Sequence, residues 1–187
     1  EQGSIAEPIE ALCSGCGTCA AECRFDAITA HQFTDAQLLG QVDASLADRP
    51  EDKTVVFACN WCSYAGADLA GVSRIQYPPT TRVIRVMCSS RVSPMFILEA
   101  LRGGADGVLV TGCHLGDCHY ISGNEKAEDN MEMAHSLISL LGIEPERLRL
   151  EWISAAEGAR FAEVVTEFTE QVRELGANRL AWHPRVC

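Results

Sequence analysis

Short apolar runs alternate with longer amphipathic stretches from residue 54 to the end of the chain. The apolar runs predict four strands, at residues 54–59, 82–88, 107–113 and 147–153. The amphipathic stretches predict helices at residues 64–75, 94–101, 127–141 and 156–175. The first and third runs are almost wholly apolar, as expected of strands that are covered on both faces. The alternation predicts an α/β fold with a small doubly wound parallel sheet of about four strands.

The residues before this region have a different pattern. Residues 19–23 predict a short helical turn, and residues 27–29 predict a strand. Thr34 and Asp35 are suitable N-cap residues, and the apolar residues that follow them have amphipathic spacing, so a helix is predicted there. The polar stretch that contains Pro50 ends this helix. We therefore predict three segments: a cysteine-rich segment at 1–33, a connecting helix and linker at 34–53, and the α/β domain at 54–187.

Composition and charge narrow the class of protein. The chain has 47% hydrophobic and 22% charged residues and a formal net charge of -11. Phosphate contacts need clustered lysine and arginine, so we expect no nucleic-acid partner. The chain shows no signal peptide and no apolar run of about 18 residues, so we expect no membrane span and a cytoplasmic location. The chain begins with Glu1, which indicates a processed chain or a part of a longer one.

Four of the ten cysteines lie in the first segment and form what we call the first cysteine set: Cys13, Cys16, Cys19 and Cys23. Their spacing matches the bacterial ferredoxin pattern for a 4Fe-4S cluster, and glycines between them allow the loop to wrap around a cluster. A zinc ion needs only two close pairs of ligands, and a disulfide framework suits a secreted protein. We therefore predict a ferredoxin-like segment with a 4Fe-4S cluster and a role in electron transfer.

The fourth cysteine of this pattern has a second possible role. In two-cluster ferredoxins the fourth cysteine of one motif binds the other cluster, so Cys23 is a candidate ligand of a neighbouring cluster. The residues before Cys13 contain no second motif. A fourth ligand would then come from upstream sequence, from another subunit or from Cys187. We expect the cluster of the isolated chain to be labile for this reason.

The predicted sheet brings together five further cysteines, the second cysteine set: Cys59, Cys62, Cys88, Cys113 and Cys118. Three of them end predicted strands and two follow shortly after, so all five converge on the carboxyl edge, where open α/β sheets bind ligands. Four of the five predict a 2Fe-2S cluster, and Cys113 and Cys118 compete for the fourth place. A zinc site and a redox pair of Cys59 and Cys62 are the alternatives, and any single one could be a buried apolar thiol.

Neighbouring side chains have weaker functional interpretations. His114 and His119 could bind iron or donate to a cluster sulfur, although polar packing is the favoured interpretation. Trp61 and Tyr64 could shield a cluster from water, or could pack in the core. The chain has neither a phosphate-binding loop nor a dinucleotide-binding glycine motif after a strand. We therefore predict no nucleotide or flavin site and no catalytic residue in this chain.

Three motifs around the second cysteine set resemble the delta subunit of methyl-viologen-reducing hydrogenase. They are FACNWCSYAGAD at 57–68, VMCS at 86–89 and GCHLGDCHY at 112–120. The resemblance covers roughly residues 54–141 and implies a 2Fe-2S domain that relays electrons. It also implies a partnership with a heterodisulfide reductase A-like flavoprotein, which bifurcates electrons, in an anaerobic setting of methanogenesis.

The first segment resembles the carboxyl-terminal ferredoxin region of that same reductase flavoprotein. The resemblance lies in LCSGCGTCAAEC at 12–23 and HQFTD at 31–35, although Arg24 replaces the proline usual after the fourth cysteine. The whole chain thus resembles a fusion of the two proteins. We expect a module that relays electrons from a hydrogenase or formate dehydrogenase to the flavin of a reductase A-like partner. The alternative is a zinc-stabilised domain that tethers subunits and has no redox role.

Overall fold

The alternation of strands and helices is confirmed by the structure, a computed structural model that describes residues 8–179. The strands are β1 (Thr54–Cys59), β2 (Thr81–Val86), β3 (Gly107–Gly112) and β4 (Leu148–Trp152). The helices are α1 (Thr18–Glu22), α2 (Asp35–Ser45), α3 (Ser63–Val72), α4 (Pro94–Arg102), α5 (Gly123–Leu140) and α6 (Gly158–Glu174). Short 3-10 turns lie at Glu10–Leu12, Pro50–Asp52, Ser89–Arg91 and Pro145–Arg147.

All four strands are parallel and form one sheet in the order β2-β1-β3-β4. β1 pairs with both β2 and β3, so that Thr54 lies beside Thr81 on one side and beside Gly107 on the other. The chain leaves β1 toward one edge of the sheet and leaves β3 toward the other. The carboxyl ends of β1 and β3 therefore flank the topological switch point, which is the usual ligand position in such sheets.

Helices cover both faces of the sheet and create two apolar cores. On one face, Phe57 and Val110 pack in a core with residues of α2, α4 and α5. On the other face, Val56 and Leu109 pack in a core with residues of α6. Every residue of β1 and β3 is buried, as the uninterrupted apolar runs predicted. The fold is the doubly wound α/β architecture predicted from the sequence.

The helix predicted to follow residue 34 is confirmed as α2, and its start is capped as expected. The Gln37 backbone N–H donates to Thr34 Oγ1 at 3.2 Å, and the Gln37 side chain accepts from the Thr34 backbone N–H at 3.0 Å. This reciprocal pair is a capping box, which satisfies two otherwise unpaired backbone donors. The helices of residues 8–179 are all too short or too polar to cross a bilayer.

Two sequence predictions of element position were wrong. Residues 27–29 form no strand, because no other strand of the described residues lies beside them to accept and donate hydrogen bonds. Helix α5 begins at Gly123, four residues before the predicted start at residue 127. The reason is tertiary: the Asn124 side chain donates to the carbonyl groups of Cys113 at 3.3 Å and of His114 at 2.7 Å. These bonds fix the first turn of the helix against the loop after β3.

A buried arginine holds the amino edge of the sheet together. Arg147 is fully buried and donates to the Asp106 carboxylate at 2.8 Å and to the Asp106 carbonyl at 2.9 Å. It also donates to the Glu144 carboxylate at 2.8 Å and to the Gly176 carbonyl at 2.6 Å. One guanidinium thus connects the starts of β3 and β4 with the end of α6.

We expect Arg147→Ala to lower the free energy of unfolding by about 3 kcal/mol, because it leaves the buried Asp106 carboxylate without its cation. Arg102→Ala is the control, because Arg102 pairs with Glu99 on the surface and its loss costs less than about 1 kcal/mol. Urea unfolding followed by circular dichroism measures both. Equal losses for the two variants would contradict the structural role of Arg147.

Candidate metal centres

The switch point of the sheet brings two cysteines into contact. Cys59 is the last residue of β1, and Cys113 is the first residue after β3. Their Sγ atoms are 3.7 Å apart, and both side chains are buried. Two thiolates on one tetrahedral metal ion lie about 3.8 Å apart, because a metal–sulfur bond measures about 2.3 Å. The two sulfurs therefore already have the spacing of two ligands of the same ion.

Cys62 joins this pair from the start of α3. It is half-buried, and its thiol takes part in a hydrogen bond with the Cys113 thiol that lowers the pKa of Cys62. Cys113 thus contacts both Cys59 and Cys62. The pair Cys59-x2-Cys62 is open to a third thiol and is not an isolated dithiol.

Cys88 and Cys118 meet at the first residue of α5. Cys88 is buried and lies two residues beyond the end of β2, just before the turn Ser89–Arg91, so the predicted strand was two residues too long. A Cβ atom added at Gly123 would lie 2.2 Å from Cys88 Sγ and 3.2 Å from Cys118 Sγ. The two thiols therefore converge on a position that only glycine can occupy.

Burial keeps most of these thiols protonated in the absence of a cation. The Cys113 thiol and burial raise the pKa of Cys59, and burial raises the pKa of Cys88 to about 11 against the opposing hydrogen bond from Ser90. The contact with Cys59 lowers the pKa of Cys113, but Cys62 and burial outweigh it and raise that pKa to about 11. Metal binding to this set must therefore displace protons and supply the compensating positive charge.

The described residues hold no group of three or more Cys, His, Asp or Glu side chains that closes on a single point, as a one-ion site requires. The second cysteine set is arranged instead around two positions. Cys59 and Cys113 meet at one of them, and Cys88 and Cys118 meet at the other.

The two histidines near this set have partners other than the thiols. His114 Nε2 lies 2.7 Å from the Glu157 carboxylate. The Ser154 backbone N–H and His114 together lower the pKa of Glu157 to about 2. The His119 ring stacks on Trp61 with the ring centres 3.8 Å apart. These contacts are the polar packing that the sequence analysis favoured over ligation.

The aromatic residues divide between two places. Trp61 Nε1 donates to the Tyr120 hydroxyl at 2.8 Å, which brings both rings to the loop that carries Cys118. Tyr64 lies on α3 under the Arg85 guanidinium, whose carbon is 5.4 Å from the ring centre. The structure therefore places Trp61 beside the second cysteine set, and it gives Tyr64 a cation–π contact on the surface.

Sequence reasoning missed three residues of this site: Gly123, Asn124 and Ser90. The Ser-Gly-Asn run at 122–124 is a recognisable turn and helix-start signal, and it could have indicated the earlier start of α5. The packing of two thiols on Gly123 had no such signal, because it depends on contacts between distant parts of the chain.

The first cysteine set lies in a loop shaped by two glycines. Gly15 and Gly17 have φ of 73° and 84°, a conformation that favours glycine. Cys13 and Cys19 are exposed, and Cys16 and Cys23 are half-buried. The remaining candidate ligand, Cys187, lies outside the described residues.

Backbone amides surround the thiol of Cys23. The Ala27 N–H donates to Cys23 Sγ at 3.3 Å, and this bond together with the Phe25 N–H lowers the pKa of Cys23. Amides that stabilise a thiolate suit a metal ligand, because the thiolate is the form that binds metal. Cys23 is therefore prepared as a ligand, whichever cluster it serves.

Two family profiles match the chain. Residues 54–176 match the family described as "Methyl-viologen-reducing hydrogenase, delta subunit", and residues 6–29 match the family described as "4Fe-4S binding domain". The two matches coincide with the second and the first cysteine sets, respectively.

Curated relatives are of two kinds. The A-type subunit of ferredoxin:CoB-CoM heterodisulfide reductase from Methanosarcina mazei is 52% identical over 194 residues, which cover 88% of this chain and 24% of that protein. The D-type iron-sulfur subunit of F420-non-reducing hydrogenase from Archaeoglobus profundus is 58% identical over 131 residues, which cover 70% of this chain and 96% of that protein. The chain thus spans about a quarter of the reductase relative's length and nearly the whole of the hydrogenase relative's.

We expect Gly123→Ala to remove the metal bound by the second cysteine set, because the added methyl group would lie 2.2 Å from Cys88 Sγ. Alanine otherwise suits a helical position. Gly40→Ala in α2 is the control, because nothing lies within 4 Å of its added Cβ. Metal analysis of anaerobically purified protein measures the result. Full metal content in Gly123→Ala would show that Cys88 and Cys118 do not bind there.

Proposed function

Because the chain belongs to the family of methyl-viologen-reducing hydrogenase delta subunits, we propose that it relays electrons through two iron-sulfur centres. The resemblance predicted from the three motifs and from the first cysteine set is confirmed. The chain carries a 4Fe-4S binding domain at residues 6–29, ahead of the delta-subunit region. Both parts consist of cysteine sets on a scaffold and serve to hold clusters that accept and donate single electrons.

The convergence of five thiols at the switch point carries the proposal of a 2Fe-2S cluster in the second cysteine set. Such a cluster has two irons, each bound by two protein ligands. The contact between Cys59 and Cys113 matches one pair, and the meeting of Cys88 and Cys118 at Gly123 suits the other. A zinc ion would instead draw four ligands around one point. The arrangement around two positions therefore favours two irons over the zinc alternative.

The geometry also refines the choice of the spare thiol. Cys113 contacts Cys59 and Cys62, which supports a place for Cys113 among the four ligands. The open choice then passes from Cys113 or Cys118 to Cys62 or Cys118. Cys118 shares Gly123 with Cys88, whereas Cys62 is held by Cys113.

In the first cysteine set, Cys13, Cys16 and Cys19 would hold three corners of a 4Fe-4S cluster. Cys23 would bind the fourth corner or a neighbouring cluster, as in two-cluster ferredoxins. In the second case the fourth ligand comes from elsewhere, and a chain limited to these residues would hold its cluster weakly. The exposure of Cys13 and Cys19 is consistent with a centre that receives a partner.

The partners we propose follow from the two kinds of relative. One relative is named as a component of heterodisulfide reductase, and the other as the iron-sulfur component of a hydrogenase. We propose that the chain connects a hydrogenase or a formate dehydrogenase with the flavin of a reductase A-like protein, which can be the same polypeptide. Substrate chemistry would take place in those partners, in the cytoplasm. Within this chain the residues bind, bury and orient the clusters.

Cysteine substitutions in the full natural protein test the two centres separately. We expect Cys59→Ser to lose about two irons per chain and Cys16→Ser to lose about four, because the two clusters differ in size. Iron and acid-labile sulfide analysis measures the losses, and low-temperature EPR identifies which signal disappears. Stoichiometric zinc without iron in the second cysteine set, after anaerobic reconstitution, would instead support the subunit-tethering domain.

Single serine substitutions also locate the spare thiol. We expect Cys113→Ser to abolish the 2Fe-2S signal, because Cys113 contacts two other thiols of the set. Of Cys62→Ser and Cys118→Ser, one should abolish the signal and the other should largely preserve it, because four protein ligands suffice. An unchanged EPR spectrum and iron content in Cys113→Ser would refute this ligand assignment.

A further inference from the structure

The two cysteine sets are connected by a short series of hydrogen bonds. Cys16 Sγ lies 3.3 Å from Thr18 Oγ1, at the start of α1. Thr18 Oγ1 in turn lies 2.5 Å from Ser90 Oγ, in the turn that follows Cys88. The Ser90 hydroxyl then hydrogen-bonds to the Cys88 thiol, which opposes the effect of burial on the pKa of Cys88. Two hydroxyl groups thus separate a ligand of the first set from a ligand of the second.

A buried arginine fixes this contact in place. Arg91 is 1% exposed, and its guanidinium donates to the Asp35 carboxylate and to the Phe33 carbonyl. Its side chain lies directly against Gly17, where an added Cβ would be 2.5 Å from Arg91 Cδ. The ferredoxin segment is therefore held tightly against the turn Ser89–Arg91. Only a residue without a side chain allows this approach.

Tyr120 occupies the space beside the same contact. Burial raises the pKa of Tyr120, and the thiols of Cys88, Cys16 and Cys59 add to this effect. The Tyr120 ring therefore lies within electrostatic reach of both cysteine sets. Its hydroxyl is held by Trp61. The aromatic pair occupies space near the gap between the two sets that water would otherwise fill.

We propose that the contact between Thr18 and Ser90 is the route by which electrons pass between the two centres of this chain. The inference rests on the proposed function, because it requires a cluster at each cysteine set. Electron tunnelling decays steeply with distance and proceeds faster along covalent and hydrogen bonds than across a gap. In each transfer one centre is oxidised by one electron and the other is reduced by one. Thr18 and Ser90 keep their protons, and no bond breaks.

Two hydroxyl deletions in the full natural protein test the route. Thr18→Val removes the hydroxyl and keeps the branched shape of the side chain, and Ser90→Ala removes the other hydroxyl. We expect each to slow electron transfer between the centres severalfold, with iron content and reduction potentials unchanged. Freeze-quench EPR after rapid reduction measures the rate. The double variant should be no slower than the slower single variant, because both changes break one route.

The control is Ser93→Ala, three residues beyond Ser90, since Ser93 makes no side-chain cap bond to α4. It should transfer electrons at the parent rate. If Thr18→Val loses the first cluster through its contact with Cys16, Ser90→Ala decides, because it leaves that contact intact. Magnetic interaction between the two reduced centres gives a second measurement, and it should weaken in both variants.

The outcomes separate this inference from the proposed function. Parent rates in Thr18→Val and Ser90→Ala, with both centres intact, would overturn the route and leave the relay function standing. A parent protein that lacks either iron-sulfur centre would overturn the relay function itself. Slower transfer at unchanged potentials would support both.

Discussion

The pairing of β1 with two parallel neighbours is the constraint on which the candidate centres depend. Because β1 lies between β2 and β3, its register fixes where three strand ends lie relative to one another. Cys59 and Cys113 meet only because β1 and β3 end side by side. A shift of one residue would exchange the buried faces of a strand, and burial on both faces makes such a shift costly. The sheet therefore sets the sulfur positions, and the loops complete them.

Burial of several thiols in one place makes metal binding and folding parts of the same equilibrium. The raised pKa values of Cys88 and Cys113 show that their neutral forms are favoured in the protein alone. A cluster supplies cations that reverse this preference, and its binding free energy then contributes to the stability of the folded state. Gly123 contributes space where two sulfurs must approach the backbone. The start of α5 is thus as much a part of the site as the cysteines are.

The sequence predicted the parts of this structure that depend on local pattern. The bounds of β1 were correct to the residue, and the convergence of five cysteines followed from the order of strands and helices. The prediction failed where distant contacts decide. α5 begins early because Asn124 bonds to carbonyl groups of the loop after β3, and residues 27–29 are not a strand because the described chain gives them no partner strand. Ser90 and Thr18 gave no signal, since 72 residues separate them.

The connecting helix has a role that its sequence did not suggest. Asp35 begins α2 and binds Arg91, so the helix predicted as a linker also anchors the turn between the two cysteine sets. Arg91 Nε is buried, has no hydrogen-bond partner among the described residues, and lies next to Gly17 in the loop of the first set. A buried cation near a centre that gains negative charge on reduction stabilises its reduced form. The same side chain that fixes the distance between the sets thus also favours electrons on the first of them.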